Sequence, residues 1–415
     1  MGDRFEYALK FYDSIGVDAA EAIGKLKKFK LSIHCWQGDD VNGFEDKDGG
    51  VGGGLAVTGN YPGRARNIGE LMADIDFALS LIPGRHRLNL HAMYPSSGKA
   101  GRDKLLPEHF GKWLKFAADR GLGLDFNPTL FAHEKAAGGF TLSDPNEANR
   151  RYWIDHCKAT RKIAAHFGEA LKTPCLHNIW IPDGYKDAPA DKLGPRRRLK
   201  EALDEIYSVK YDPSHIVDCV ESKLFGIGLE SYTVGSHEFY MNYAAKTGVL
   251  CLFDCGHFHP TETVSDKVSS MLLFNEKIAL HVSRGVRWDS DHAVVLDDEL
   301  RALMYEIVSC GALERTLIGL DFFDATINRV AAWVLSARSV QKAVLHALLT
   351  PMKKMAVLQD AGDFTGILAL RDALNAAPFG DVWDAFCSDE KKPSGDGWHK
   401  LVKEYEETEL ARRGA

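Results

Sequence analysis

Several features that mark large protein classes are missing from this sequence. Its eight cysteines (Cys35, Cys157, Cys175, Cys219, Cys251, Cys255, Cys310 and Cys387) contain no Cys-x-x-Cys pair, which argues against a zinc ribbon. Cys35, Cys175, Cys219, Cys251 and Cys255 lie in apolar, strand-like runs, so buried thiols in a reducing compartment are expected. No apolar run approaches the roughly 18 residues a membrane span needs. The opening stretch "MGDRFEYALKFYDSIG" reads as an amphipathic helix without the apolar segment of a signal peptide. Glu6 stands where N-myristoylation wants Ser or Thr. A cytoplasmic protein with no membrane partner is the expectation. Positive charge is not in excess: 51 Lys and Arg face 58 Asp and Glu, for a net charge of −7, which argues against a nucleic-acid binder. Three short motifs also fail. "GGVGGG" has no Gly-Lys-Ser/Thr after it and is no phosphate loop. "DKDGG" (46–50) resembles the start of a calcium loop, but Gly50 and Val57 occupy positions where such a loop needs oxygen ligands. "NPT" at 127–129 carries proline where a glycosylation signal forbids it.

What is present suits a soluble globular protein. The 415 residues are 45% apolar and 26% charged, enough to bury a full core. Eight β-rich runs recur: "LSIHCW" (31–36), "RLNLHAMY" (87–94), "GLDFNP" (123–128), "PCLHNIWI" (174–181), "IVDCVESKLF" (216–225), "VLCLFDCGH" (249–257), "IALHVSR" (278–284) and "TLIGLDFF" (316–323). Segments of helical periodicity separate them. Alternation of this kind predicts parallel βαβ units, and eight strands predict a closed (β/α)8 barrel over residues 30–345. A doubly wound open sheet is the alternative. Residues 1–29 read as an N-terminal helical extension and 346–415 as a C-terminal helical tail, packed either on a neighbouring subunit or on its own barrel. The long segment 37–67 after the first strand is either a cover over an active site or a surface insertion.

Active sites of such barrels lie at the carboxyl ends of the strands. There the sequence places Glu221 and Lys223, then Asp254, His257 and His259, then His281, Asp289 and Asp291, then Asp321 and Asp324. Glu221, Asp254, His281 and Asp321 each lie one strand–helix unit beyond the last, so all four can converge. Three carboxylates and an imidazole cannot be buried together unpaired. A hard divalent cation satisfies them; Mn2+ suits this oxygen-rich set, as do Mg2+, Co2+ or Zn2+. In "RWDSDH" (287–292), Asp289 and Asp291 share one side of an extended chain. With His257 they make a second, more open metal site of the catalytic kind, and His292 faces the other way as an outer partner. Lys223 is placed to orient a substrate hydroxyl or pair with these carboxylates. Trp180 is placed as an apolar wall or as core, and His91 as a donor to a sugar oxygen or a buried histidine.

Longer motifs carry a resemblance. "HCWQGDDVNGFE" (34–45), "TGNYPGRARN" (58–67), "YWIDHCK" (152–158), "NIWIPDG" (178–184), "VESKLFGIG" (220–228), "GHFHPTE" (256–262), "VRWDSDH" (286–292) and "GLDFFDATINR" (319–329) resemble bacterial L-rhamnose isomerases, and the likeness covers nearly the whole chain. The resemblance implies a metal-dependent aldose–ketose isomerase (an intramolecular oxidoreductase) on a (β/α)8 barrel, assembled as a homotetramer with two divalent ions per subunit, Mn2+ foremost. It implies a structural ion on Glu221, Asp254, His281 and Asp321 and a catalytic ion on His257, Asp289 and Asp291. Lys223, Asp289 and Asp321 are expected to act in catalysis, and His91, Trp180 and Lys223 to bind the sugar. The implied reaction interconverts L-rhamnose and L-rhamnulose by a metal-assisted proton shuttle and a hydride shift from C2 to C1. An enediol route is the competing chemistry. Metal-dependent phosphoester hydrolysis and non-catalytic sugar binding are the alternative functions. The first wants basic residues at the mouth; the second has no use for an open metal site.

Overall fold

A computed structural model describes residues 2–45, 59–98, 100–223, 229–259, 261–286 and 291–414. Eight parallel strands close into one barrel. They are β1 (Leu31–His34), β2 (Arg87–His91), β3 (Gly123–Asn127), β4 (Cys175–Trp180), β5 (Ile216–Glu221), β6 (Leu250–Asp254), β7 (Ile278–Val282) and β8 (Thr316–Leu320). β8 pairs with β1 through Leu31↔Ile318 and Ser32↔Gly319, which completes the ring. All eight expected strands form, and the open sheet is excluded. Each ends before the apolar run does. Cys35–Gln37 and Cys255–His257, expected as strand, are short 3-10 turns. These turns face the barrel mouth, where the chain leaves the ladder and hydrophobicity serves the loop instead.

Helices cover the barrel. α1 (Gly2–Ser14) and α2 (Ala19–Lys28) precede it. The outer layer comprises α3 (Ile68–Leu81), α4 (Gly111–Arg120), α5 (Glu147–Leu171), α6 (Leu193–Ile206), α7 (His237–Thr247), α8 (Ser265–Phe274), α9 (Asp298–Ser309) and α10 (Arg329–Leu348). Local chemistry sets their ends: Asn67, Asn146 and Asn328 cap α3, α5 and α10 by accepting backbone N–H bonds. α10 is buried along most of its length, and its Trp333 indole donates to the His34 carbonyl at 2.9 Å.

Four more helices follow: α11 (Met352–Asp360), α12 (Phe364–Asn375), α13 (Phe379–Asp389) and α14 (Gly397–Thr408). α13 buries Val382, Trp383 and Phe386. From α14, Tyr405 stacks on Phe77 at 4.1 Å and donates to Asp74 at 2.8 Å. These two helices therefore pack on the chain's own barrel, while Val357, Phe364 and Leu368 of α11 and α12 stay exposed. All eight cysteines are free thiols, and Cys255 is only partly buried, unlike Cys35, Cys175, Cys219 and Cys251, which are buried as expected. It falls on the turn beyond β6, not in the strand. Among the described residues no helix is long and apolar enough to cross a membrane.

Candidate metal centre

The strand register brings the acidic residues together. Glu221 ends β5 beside Trp180 of β4, and Asp254 ends β6 beside His281 of β7. Asp321 follows the last residue of β8. Glu221, Asp254, His281 and Asp321 each offer a ligand atom, all within 4.8 Å of one another. The first three are almost completely buried. The His281 Nδ1 atom lies 3.2 Å from Asp321, 3.4 Å from Glu221 and 3.6 Å from Asp254. Neither ring nitrogen of His281 makes a well-formed hydrogen bond. Burial opposes a charged His281, but the negative charge of Glu221 and contact with Asp321 carry its pKa well above the usual range. Asp254 is pushed far up by burial, then by the charges of Asp291, Glu221 and Asp321. Asp321 is only partly exposed, and although that burial opposes its charge, contact with His281 holds it below the usual carboxylate range. A concentrated negative potential around an orphaned imidazole is the donor set a divalent cation fits.

A second group adjoins it. His257 Nδ1 lies 3.0 Å from the Ser222 carbonyl. A carbonyl can only accept, so Nδ1 carries the proton and the Nε2 lone pair is left for a ligand. Burial and the nearby Lys223 charge hold the His257 pKa well below normal, which keeps the ring neutral. Asp291 sits on a short ladder in which Gly285 pairs with it and Arg284 with His292. Its carboxylate presses on Gly256, where a Cβ would collide with Oδ1. Asp289, the third expected member, lies outside the described residues, as does residues 46–58 of the 37–67 segment. His259 turns back onto Thr261, and Asp324 binds the Ala293 and Thr326 N–H groups. His259 thus serves its turn, and Asp324 knits two loops.

An aromatic arc completes the mouth. Trp36 meets His91 at 4.7 Å, His91 meets Phe131 at 5.4 Å, and Phe131 meets Trp180 at 5.7 Å between ring centroids. Trp180 in turn lies parallel to His257 at 6.4 Å, and the Lys223 ammonium stands 5.4 Å from the Trp180 ring. Of the three residues expected to bind substrate, Trp180 and Lys223 lie near His257, and His91 stands further along the arc, beyond Phe131. His91 is buried and its pKa is pressed down to about 3, so it is neutral, with Nδ1 3.2 Å from the Thr129 hydroxyl.

Three contributors escaped the sequence reading. The Trp36 indole donates to Asp321 at 3.0 Å, and Asn178 donates to Glu221 at 2.6 Å. Phe131 joins the arc from a loop. Asn178 alternates with Trp180 along β4 and so shares its inward face, a signal legible in the sequence. Phe131 had none.

Residues 1–413 match the L-rhamnose isomerase (RhaA) family. The chain belongs to this family. It is 53% identical over 414 residues to an L-rhamnose isomerase of Salmonella paratyphi B, covering 100% of this chain and 99% of that protein. It is 52% identical over 415 residues to an L-rhamnose isomerase of Escherichia coli O157:H7, with the same coverage. Full-length membership makes the protein an isomerase. Among solved structures, an L-ribulose 3-epimerase aligns at 13% identity with a TM-score of 0.49, over 80% of this chain and 98% of that one. The barrel assignment stands on the strand pairing instead.

Proposed function

We propose that the protein interconverts L-rhamnose and L-rhamnulose, with two divalent metal ions, Mn2+ foremost, as cofactors. The convergence of Glu221, Asp254, His281 and Asp321 on one point, in a chain of this family, carries the reading. These four residues would hold one ion; His257, Asp289 and Asp291 would hold the other. When bound, the ions supply Lewis-acid polarisation of the sugar oxygens O1 and O2.

The chain's own residues do the rest. Trp180 and Phe131 present an apolar wall to the C–H face of the open-chain sugar and exclude water. Neutral His91 binds a sugar oxygen through Nε2. Lys223 orients a hydroxyl and steadies negative charge developing at O1 or O2. Asp289 guides the O2 hydroxyl proton to O1 through water, and Asp321 fixes the position of O2. The hydrogen on C2 then moves to C1 as a hydride, so no base is needed at C2. A cytoplasmic homotetramer is the form in which we place the enzyme.

The test is conversion of L-rhamnose to ketose after chelation and reloading with Mn2+, Mg2+, Co2+ or Zn2+. Activity that chelator abolishes and one or more of these ions restore supports the reading; no ketose with any of them refutes it. Run in deuterated water, the product should carry little deuterium at C1. Full incorporation would replace the hydride shift with an enediol.

A further inference from the structure

The axis of a (β/α)8 barrel is normally filled with packed side chains. Here the end opposite the metal cluster encloses a cavity of about 790 Å³, a volume typical of small-molecule sites. Its walls come from the first residues of the strands, polar at Ser32 and Asn89 and apolar at Leu176 and Val217, and it reaches inward as far as His281. Asn127 donates to the Asn89 side-chain oxygen at 3.0 Å, which leaves the Asn89 NH2 group as a donor.

The entrance is strongly cationic. Lys28 and Lys30 approach from the end of α2, Lys277 from the residue before β7, and Arg315 from the residue before β8; Glu314 is the acid among them. A buried pair, Arg87 and Asp125, also lines the wall, but its 2.8 Å contact neutralises it. Lys25 is occupied by Glu21 at 2.9 Å. Among the described residues Lys28, Lys30 and Lys277 form no ion pair. Four cations therefore surround one acid at a concave opening, on a chain whose net charge is −7. Low-dielectric walls focus such a field on an incoming anion, and lysine is a common phosphate binder.

The geometry points to a second binding site at the amino-terminal end of the barrel, for a small phosphorylated molecule. Its phosphate would be held by Lys30, Lys277 and Arg315, with an uncharged hydroxylated body against Asn89 and Ser32. The site shares only His281 with the metal group at the mouth and none of the residues proposed to bind the sugar, so it does not depend on which sugar the mouth accepts.

Isothermal titration of the metal-loaded enzyme with inorganic phosphate and with glucose 6-phosphate tests this, in the presence of saturating L-rhamnose. Both should bind, glucose 6-phosphate at least about fivefold more tightly. A Lys30→Ala/Lys277→Ala double variant should weaken both by about tenfold, two lost ion pairs at a partly exposed site, with isomerase turnover unchanged. The Lys30→Arg/Lys277→Arg variant should retain binding. Absence of binding, binding indifferent to the double alanine variant, or displacement by L-rhamnose would each overturn the proposal. Equal affinity for the two probes would reduce the site to one for free phosphate and overturn the ligand class assigned.

Discussion

Substituting Gly256 by alanine tests the second metal group at one atom. Gly256 lies between Asp254 and His257 on the turn after β6, with no left-handed backbone to strain. A Cβ there would meet Ser283 Oγ at 3.0 Å and Asp254 Oδ1 at 3.2 Å, and would overlap Asp291 Oδ1 outright. Restoring ordinary contact requires the Asp291 carboxylate to retreat by roughly an ångström. On stability, overpacking of this kind costs about 1–3 kcal/mol, partly offset by the roughly 0.4–1 kcal/mol gained when alanine replaces glycine in an allowed conformation. The folded enzyme should survive. On activity, a misplacement of about 1 Å in an aligned site costs on the order of a hundredfold. The expected result is a Gly256→Ala protein that folds and retains one tightly bound Mn2+ per chain. It should lose the second ion at concentrations that saturate the wild type, and fall about a hundredfold in kcat/KM on L-rhamnose. Metal content after gel filtration, thermal unfolding and steady-state kinetics separate these effects. Two ions per chain with wild-type kcat/KM would refute the placement of Asp291 in the second group.

Other outcomes follow from the same geometry. Asp254→Ala should fold but fail to hold the first ion, with activity at background; metal content of the purified protein checks it. Asn178→Ala removes the 2.6 Å bond that aims Glu221, and should weaken Mn2+ binding by about 10–100-fold, measured by competition with a chelator. Trp36→Phe keeps the aromatic arc but removes the donor to Asp321; about tenfold weaker Mn2+ binding is expected. Asp39 is buried, and its pKa is pushed up to about 7, although Tyr94 donates to it at 2.7 Å. Its folded-state pKa lies above the unfolded value, so the folded protein binds the extra proton. Stability should therefore fall as pH rises from about 4 through about 7. Urea midpoints across that range should flatten in Asp39→Asn, and an unchanged slope would contradict the burial argument.

Much of the barrel was legible because parallel strands buried on both faces read as short apolar runs. All eight were found, and the residues at or just beyond their carboxyl ends include the four that converge at the mouth. Strand ends were read too long at Cys35 and Cys255, since apolar character continues into turns that pack against the mouth. Trp36 escaped notice because its role depends on β8, nearly three hundred residues away (its partner is Asp321). No local pattern encodes which loops meet across a closing ring. Asn178 was within reach: an amide on the inward face beside Trp180 has to satisfy its polar atoms, and Glu221 on the adjacent strand is the partner it finds. Phe131 sits in a connection without periodicity, so only the fold could place it.

The Trp36–Asp321 bond joins the end of the first strand to the end of the last. It therefore crosses the seam where the ring closes, and it does so at one of the four residues proposed to hold a metal. A growing polypeptide could gather Glu221, Asp254 and His281 early, but the fourth arm arrives only with the final strand, and Trp36 can fasten it only after closure. Completion of the four-residue cluster would then report closure of the ring: a chain cut before Asp321 lacks both the fourth arm and the Trp36 bond that holds it.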